Sequence, residues 1–353
     1  MEEVVNSGSY GCVLRPSLGC IGRRPRDGSF ISKLFFTYEN EANYDKTNAN
    51  IEWKESIKIK RFDPHQEFTI QAIEKCETDT SQISPLLMSQ CPNTIPKIAT
   101  EIIYPDGGID MFQFIVGDTS LSIAEFMAAF TFPLIGCARF ARANMMHTDI
   151  KLENIVYKKE RKRFLLIDFG LVTKSVNLYN QSHAGKRIRA FEIYYYPPEF
   201  IIYDNLVNGS IRDVKKNLSL LTKFIGSETN SAVNMFVYDS VEMNSELNQA
   251  QSRMEMEYKK DRLRNYKKMA SAKVDVFSLA LCVYTFLNIK KPTVENEHRE
   301  ALCKWIAGAG HINPYKRWTS EQAVQEWSIL SHKIASADML KEADIAVRKL
   351  LTK

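Results

Sequence analysis

Residues 145–157 read MMHTDIKLENIVY and bring an acid, a lysine and an amide together between hydrophobic flanks. Within this stretch, Asp149 is followed by Lys151 two positions later and by Asn154 five positions later. A single carboxylate between apolar runs would indicate a turn. Three polar groups at this spacing, where the flanks otherwise predict a buried strand, indicate a chemical site instead.

Another polar group follows downstream, at the end of a second predicted buried strand. The stretch RKRFLLIDFGLV, residues 161–172, places Asp168 directly after an apolar run. Asp168 and Asn154 offer the oxygen ligands that Mg²⁺ prefers, and they flank a predicted hairpin with the loop KKERKR. Asp149 can then accept a hydroxyl proton while Lys151 neutralises phosphoryl charge, so the pattern predicts phosphoryl transfer. A turn-capping aspartate is the alternative for Asp168.

The N-terminal stretch NSGSYGCV, residues 6–13, contains two glycines followed by a valine. Gly8 and Gly11 would let the backbone approach phosphate oxygens, and Val13 could cover a flat base. A glycine-containing hairpin turn with no ligand is the alternative for the same pattern.

Lys33 lies in the strand-like apolar run ISKLFF, where a charge needs a partner. It either points to water from an edge strand or holds phosphate together with a helical carboxylate. We expect Glu55 to be that carboxylate, because Ile59 and Phe62 follow it at helical spacing and would face inward. Glu52 is the second choice.

Composition is that of an ordinary globular protein. The chain has 353 residues, of which 44% are hydrophobic and 25% charged, and this length predicts about two domains. The net charge of +5 suits an acidic substrate or a nucleotide. It falls short of the strong basic charge of a dedicated nucleic-acid-binding protein.

The seven cysteines are scattered and never form a CxxC pair. This pattern predicts neither a disulfide framework nor a zinc site, and it favours a reducing compartment. The acidic N-terminus does not resemble a signal peptide. The apolar stretch from Phe126 is interrupted by Pro133 and Arg139, so we expect no membrane span and an intracellular protein.

The character of the chain changes at the turn sequence PDGG, residues 105–108. Before it lie strand-like runs and one charged helical stretch, IEWKESIKIKRF. After it, apolar spacing predicts a series of helices, at 121–144, 274–288, 299–307, 319–332 and 337–351. A small β-rich lobe and a larger helical lobe follow, which is an α+β, bilobal fold. Residues 204–270 carry further helical periodicity and are expected to be an insertion.

Taken in chain order, these motifs resemble the protein kinase superfamily. They are a glycine loop, a strand lysine, a helix glutamate, H-x-D-x-K-x-x-N, D-F-G and P-P-E. Lys151 resembles the lysine of the serine/threonine branch. The resemblance covers residues 4–204 and resumes at KVDVFSLALCVY, where Asp275 resembles the aspartate that braces the catalytic loop. Arg317 resembles the arginine that pairs with the P-P-E acid, Glu199.

The resemblance implies an ATP-dependent kinase of protein serines and threonines, with an N-lobe at 1–108 and a C-lobe at 109–353. Asp149 would be the catalytic base, assisted by Lys151 and Lys33, and Asn154 and Asp168 would bind Mg²⁺ or Mn²⁺. The residues implied for the nucleotide are Asn6, Gly8, Gly11, Val13, Ile31, Lys33, Glu55 and Ile103. Hinge backbone from residue 103 to 106 would contact the adenine.

The chain departs from the family pattern at several positions. Asn6 replaces the first glycine of the loop, and Asn tolerates the same backbone conformation. Thr148 replaces the arginine that holds an activation-loop phosphate, which predicts an enzyme that does not need that switch. Glu192 stands where a threonine usually contacts the catalytic aspartate. The insertion lengthens the segment after the P-P-E acid and would contact substrates or partners.

The motif combination is similar to kinases of large DNA viruses, which implies host cytoplasm or a virion. Other functions remain open. A pseudokinase scaffold would act through residues 204–270. Binding of nucleic acid through KKERKR and YKKDRLRNYKK is not expected, because short charge runs are usually solvated faces. A small-molecule kinase is disfavoured by Lys151 and by the P-P-E element with its arginine. Protein substrates are therefore the expected partners.

Overall fold

The structure is a computed structural model. It describes residues 3–8, 11–23, 29–35, 44–91, 97–118, 121–175, 196–208 and 240–352. Contacts divide the chain into two units. Unit 1 comprises Met1–Gly108 and Ile167–Leu171, and unit 2 comprises Ile109–Leu166 and Val172–Lys353. The predicted α+β class is confirmed, with an antiparallel sheet in unit 1 and mostly helices in unit 2.

Unit 1 is built on a five-stranded antiparallel sheet with the order β1-β2-β3-β5-β4. Its strands are β1 Glu3–Gly8, β2 Gly11–Arg15, β3 Phe30–Phe35, β4 Glu74–Asp79 and β5 Ile98–Pro105. Two helices accompany them, α1 Tyr44–Phe62 and α2 Pro85–Met88. In the central strand β3, Lys33 is aligned with Val13 on β2 and with Ile102 on β5. The strands and the helix expected from the apolar pattern are thus present.

Two disulfides cross-link unit 1, Cys12–Cys91 and Cys20–Cys76. The prediction that the cysteines form no disulfides was therefore wrong. The paired residues lie 79 and 56 positions apart in the sequence, so no local spacing motif predicts these disulfides. They meet because the sheet brings distant segments together. The remaining cysteines of the chain are free thiols, namely Cys137, Cys282 and Cys303.

Unit 2 contains short strands and most of the helices. Its strands are β6 Ile109–Asp110, β7 Met145–Met146, β8 Ile155–Lys158, β9 Arg163–Leu166 and β10 Thr173–Lys174. Its described helices are α3 Met111–Val116, α4 Ile123–Arg142, α5 Glu199–Asn208, α6 Ser240–Asp261, α7 Arg264–Ala270, α8 Val274–Lys290, α9 Asn296–Ala309, α10 Ser320–Ile334 and α11 Ala337–Leu351. Strands β6, β8 and β9 form one sheet, and β7 pairs with β10. The helices predicted at 121–144, 274–288, 299–307, 319–332 and 337–351 are confirmed.

Helix α4 is the centre of the unit 2 core. It begins with a capping box between Ser122 and Glu125, which satisfies the free amides of its first turn. The ring of Phe126 stacks on Phe286 of α8 with a centroid distance of 3.7 Å. The indole of Trp327 donates to the Met127 carbonyl at 3.0 Å, which ties α10 to α4.

The same helix, Ile123–Arg142, is the one described helix long and apolar enough to cross a membrane, with a mean hydropathy of 1.4. A bent pair, Arg264–Ala270 with Val274–Lys290, passes the test only if both helices are counted as one span. In α4, 78% of the apolar window is buried inside the protein. This burial is compatible with a core helix and with the expected absence of a membrane span.

The second half of the predicted insertion forms helix α6. The helical periodicity predicted here rests on Met243, Leu247, Ala250, Met254 and Tyr258. Leu247, Ala250 and Met254 are buried and Tyr258 is half-buried, which agrees with a helix, while the side chain of Met243 lies outside the description. The helix packs on the segment before α10, where the guanidinium of Arg253 lies 3.8 Å from the Tyr315 ring centroid. A first helix of the insertion is predicted by the apolar spacing of Ile211, Val214, Leu218, Leu221 and Ile225, and it lies outside the described residues.

Candidate functional site

Lys33 is the centre of a charged cluster in unit 1. Its Nζ donates to Glu52 Oε2 at 2.7 Å and to Asp168 Oδ2 at 3.3 Å. Burial by itself would lower the pKa of Lys33, but the charges of Asp168 and Glu52 raise it above the ordinary value. Lys33 is therefore paired with two acidic side chains inside the protein, and it is not an edge-strand lysine facing water.

The expectation that Glu55 is the partner of Lys33 was wrong. Glu55 instead forms an ion pair with Lys58 of the same helix, at 2.6 Å. The buried stripe of α1 runs through Ala49, Glu52, Ser56 and Ile59, at three-and-four spacing. Glu55 was expected because it lies four residues before Ile59. Glu52, seven residues before Ile59, is the acid that lies on the buried stripe.

Tyr104 completes the unit 1 cluster and was missed from the sequence. Its hydroxyl donates to Glu52 Oε1 at 2.6 Å. Burial raises the pKa of Tyr104 well above its ordinary value, and the neighbouring Glu52 charge acts in the same direction. The sequence could have indicated Tyr104 as a neighbour of Lys33, because Tyr104 lies two residues after Ile102, the β5 residue aligned with Lys33. Alternate residues of a strand share one face.

Asp168 has the turn contact that the sequence offered as an alternative, and it also contacts Lys33. Its role as a Mg²⁺ ligand stays a prediction. Its Oδ2 contacts Lys33, while its Oδ1 accepts from the Gly170 amide at 3.3 Å in a turn. The backbone of Asp168 has φ 61°, a left-handed conformation that costs a non-glycine residue free energy. Such strained positions cluster at functional sites. Phe169, which follows it, is buried.

The glycine-loop residues lie in the β1–β2 hairpin, where Gly8 pairs with Gly11 and Asn6 with Val13. A Cβ atom at Gly11 would lie 2.3 Å from the Leu34 carbonyl oxygen of β3. Close packing of β2 against β3 therefore requires glycine at this position, whether or not a nucleotide binds. The nucleotide role of the loop stays a prediction.

Two other residues predicted for the nucleotide lie in the central strands of the same sheet. Ile31 of β3 is half-buried and aligned with Tyr104, and Ile103 of β5 is buried and aligned with Ser32. The Ile103 carbonyl already accepts from the Ile73 amide at 2.9 Å. Hinge contacts to adenine also stay a prediction.

In unit 2, Asp149, Lys151 and Asn154 form the second cluster. The Asn154 amide nitrogen donates to Asp149 Oδ2 at 2.9 Å and to the Asp149 carbonyl at 2.8 Å. The ammonium of Lys151 lies 3.9 Å from Asp149 Oδ2. The three polar groups singled out in the sequence are thus brought together around one carboxylate.

The backbone before Asp149 is held by a buried aspartate of α8. Asp275 accepts from the His147 amide at 2.7 Å and from the Thr148 amide at 2.9 Å. Thr148 has φ 62°, so this strained turn depends on the two hydrogen bonds. The expected bracing role of Asp275 is confirmed.

Glu199 and Arg317 form the expected ion pair, through two hydrogen bonds of 2.6 and 2.9 Å. The sequence did not identify Tyr196, whose hydroxyl donates to Asp149 Oδ1 at 2.9 Å. Nothing in its local pattern distinguishes it from the two tyrosines before it. Glu192, the departure expected at the substrate side, lies outside the described residues.

The two residues predicted to bind Mg²⁺ offer suitable atoms. Asn154 donates through its amide nitrogen, which directs its carbonyl oxygen away from Asp149, and Asp168 carries a carboxylate. Among the described residues, no group of three or more His, Cys, Asp or Glu side chains could hold a metal. Amide and carboxylate oxygens are ligand types that Mg²⁺ accepts, and proteins often bind it through one or two side chains plus substrate phosphates. Asn154 belongs to unit 2 and Asp168 to unit 1.

Comparison of the chain with protein-family models and with curated proteins found no match.

Proposed function

We propose that the chain is an ATP-dependent serine/threonine protein kinase, which transfers the γ-phosphoryl group of ATP to protein hydroxyls. The observation that carries the proposal is the buried contact of Lys33 with Glu52, at 2.7 Å, and with Asp168. A lysine held by a helical carboxylate beside a D-F-G aspartate is the arrangement that kinases use to hold phosphates. Lys33 would bind the α- and β-phosphates.

Asp149 would accept the proton of the attacking hydroxyl. Its hydrogen bond from Asn154 and the nearby ammonium of Lys151 support this role, because they fix the carboxylate next to a positive charge. Lys151 would also stabilise negative charge on the transferring group. The buried Asp275 holds the loop that carries these residues.

Asn154 and Asp168 would each offer an oxygen ligand to Mg²⁺, and Mn²⁺ could take the same ligands. When bound, the ion would supply positive charge to the phosphate oxygens. The protein's own contribution is to keep Asp168 oriented through Gly170 and Lys33.

Protein substrates follow from Lys151 and from the P-P-E element with its Arg317 partner. Helix α6 of the insertion would contribute to docking of a substrate or partner. A viral origin and a location in host cytoplasm or a virion rest on the motif combination alone. The cysteine argument for a reducing compartment no longer supports that location, because four cysteines are paired.

The test is transfer of labelled phosphate from ATP to a mixed-protein substrate, with wild type beside Asp149→Asn. We expect phosphoserine and phosphothreonine that disappear in Asp149→Asn and persist in Asp118→Asn. Asp118 is an exposed aspartate of the same unit and serves as the matched control.

Absence of transfer by folded wild-type protein would contradict the proposal. Titration with ATP and Mg²⁺ then separates the alternatives. A pseudokinase scaffold would bind nucleotide weakly or not at all. Tight binding of ATP without transfer to protein would favour a kinase of small molecules.

A further inference from the structure

Tyr196 makes a polar contact with Asp149 that the motif set does not account for. Its hydroxyl donates to Asp149 Oδ1 at 2.9 Å, and both residues belong to unit 2. Asn154 binds the other oxygen, Oδ2, at 2.9 Å. The two carboxylate oxygens therefore have separate donors, and rotation of the carboxylate would break both bonds.

The residues that follow Tyr196 restrict the backbone on its C-terminal side. Pro197 and Pro198 follow it directly and are buried, and a residue before proline is restricted to extended conformations. Glu199 comes next and is fixed by its buried ion pair with Arg317. The ring of Tyr196 also lies 6.0 Å from that of Phe200. The Tyr196 hydroxyl is thus presented to Asp149 from a segment whose following residues are buried and ion-paired.

We propose that Tyr196 is a positioning residue that orients the catalytic carboxylate of Asp149. This inference rests on the proposed kinase function. At the position where the resemblance expects a threonine that contacts the catalytic aspartate, the chain has Glu192, which cannot donate a hydrogen bond when ionised. Tyr196 provides the neutral donor from a different place in the same segment, next to the P-P-E acid.

The roles of the two donors differ. Asn154 is also a predicted metal ligand, so changing it would disturb two functions at once. Tyr196 is not a predicted metal ligand, so removing its hydroxyl tests the hydrogen bond to Asp149 without changing a proposed ligand. A carboxylate oxygen accepts more than one hydrogen bond, and the Tyr196 bond leaves a lone pair of Oδ1 for the substrate hydroxyl.

The experiment compares Tyr196→Phe with Tyr203→Phe. Tyr203 is a buried tyrosine of α5 in the same unit, so its variant controls for loss of a hydroxyl near the segment. In Tyr196→Phe we expect kcat to fall by about 10- to 100-fold, because a hydrogen bond to a charged group is lost. The KM for ATP should stay unchanged, and Tyr203→Phe should keep the wild-type kcat.

A second measurement does not depend on activity. In protein labelled with ¹³C at aspartate carboxyls, the Asp149 resonance is assigned by its absence from Asp149→Asn. We expect it to move in Tyr196→Phe and to stay in place in Tyr203→Phe. If wild type transfers no phosphate, the proposed kinase function fails, while this shift still reports whether Tyr196 binds Asp149.

Three results would overturn the inference. An unmoved Asp149 resonance would show that the hydrogen bond is absent in solution. A shifted resonance with unchanged kcat would show that the bond does not serve catalysis. A higher kcat in Tyr196→Phe would show that the hydroxyl competes with the substrate for Asp149.

Discussion

Arg317 and Glu199 form a two-bond ion pair in which neither side chain is exposed to solvent. Arg317 also donates to the carbonyls of His311 at 2.8 Å and Lys273 at 2.9 Å. Its guanidinium therefore joins α5, the start of α8 and the segment before α10. Arg317 is thus a buried cation that binds Glu199 and the carbonyls of two other segments.

Removing Arg317 should destabilise unit 2 strongly. We expect Arg317→Met to lower the free energy of unfolding by about 3–5 kcal/mol, because Glu199 would stay buried and unpaired. Urea denaturation followed by tryptophan fluorescence measures the change. Arg142→Met is the control, because its ion pair with Glu321 is exposed and should contribute no more than about 1 kcal/mol. Equal losses in the two variants would contradict the expectation.

Glu52 and Glu55 offer a matched pair of substitutions on one helix. Glu52→Gln should lower the free energy of unfolding by about 1–3 kcal/mol, because it removes the charge that Lys33 contacts at 2.7 Å. Phosphate transfer should fall by about tenfold or more. Glu55→Gln loses only a contact with the exposed Lys58 and should behave as wild type in both assays. A larger effect of Glu55→Gln would support Glu55, the residue expected from the sequence, as the partner of Lys33.

The disulfides predict a specific count of reactive thiols. Alkylation of the denatured, unreduced protein should modify three cysteines, namely Cys137, Cys282 and Cys303. Intact mass spectrometry counts the adducts. Replacing both members of either disulfide with serine should lower the free energy of unfolding by about 2–4 kcal/mol, since the unfolded chain regains freedom. Modification of all seven cysteines without reductant would rule the disulfides out.

His311 should make unit 2 sensitive to mild acid. Burial lowers its pKa to about 4, aided by the charges of Arg317 and Lys316 and opposed by that of Glu246. Between about pH 6.5 and 4, the unfolded chain takes up a proton that the folded chain does not, so stability falls as the pH falls.

His311→Asn should remove this part of the acid sensitivity, and its side-chain oxygen can still accept from the Asn313 amide as His311 Nδ1 does. Urea denaturation at pH 7 and pH 4.5 gives the difference for each variant. The exposed His65→Asn is the control and should keep the wild-type difference. An identical pH dependence in His311→Asn and wild type would refute the role of His311.

Local patterns predicted most of the elements because those elements obey local rules. Apolar spacing located α8 and α10, and the loop KKERKR with its apolar flanks predicted the β8–β9 hairpin. The three polar groups near Asp149 were identified because they interrupt a hydrophobic run. In each case the deciding residues lie within a few positions of one another.

The contacts that the sequence predicted wrongly or did not predict join segments that are distant in the chain. The choice between Glu52 and Glu55 depends on how α1 is rotated against the sheet. These acids lie about one helical turn apart, so the spacing of apolar residues could not decide between them. The partner of Cys12 is 79 residues away, and Tyr196 reaches Asp149 across 47 positions. Such pairs are determined by tertiary packing, and no single-segment pattern encodes them.

Unit 1 is discontinuous in sequence, because Ile167–Leu171 belongs to it although 58 residues of unit 2 come between. During synthesis the N-terminal strands leave the ribosome first and can begin to fold, with Lys33 already able to meet Glu52. Asp168 arrives only after a further 116 residues have been added. A fragment that ends at Gly108 would therefore lack one of the two acids that balance its buried lysine, so the small unit should mature only after the loop containing Asp149 has been translated.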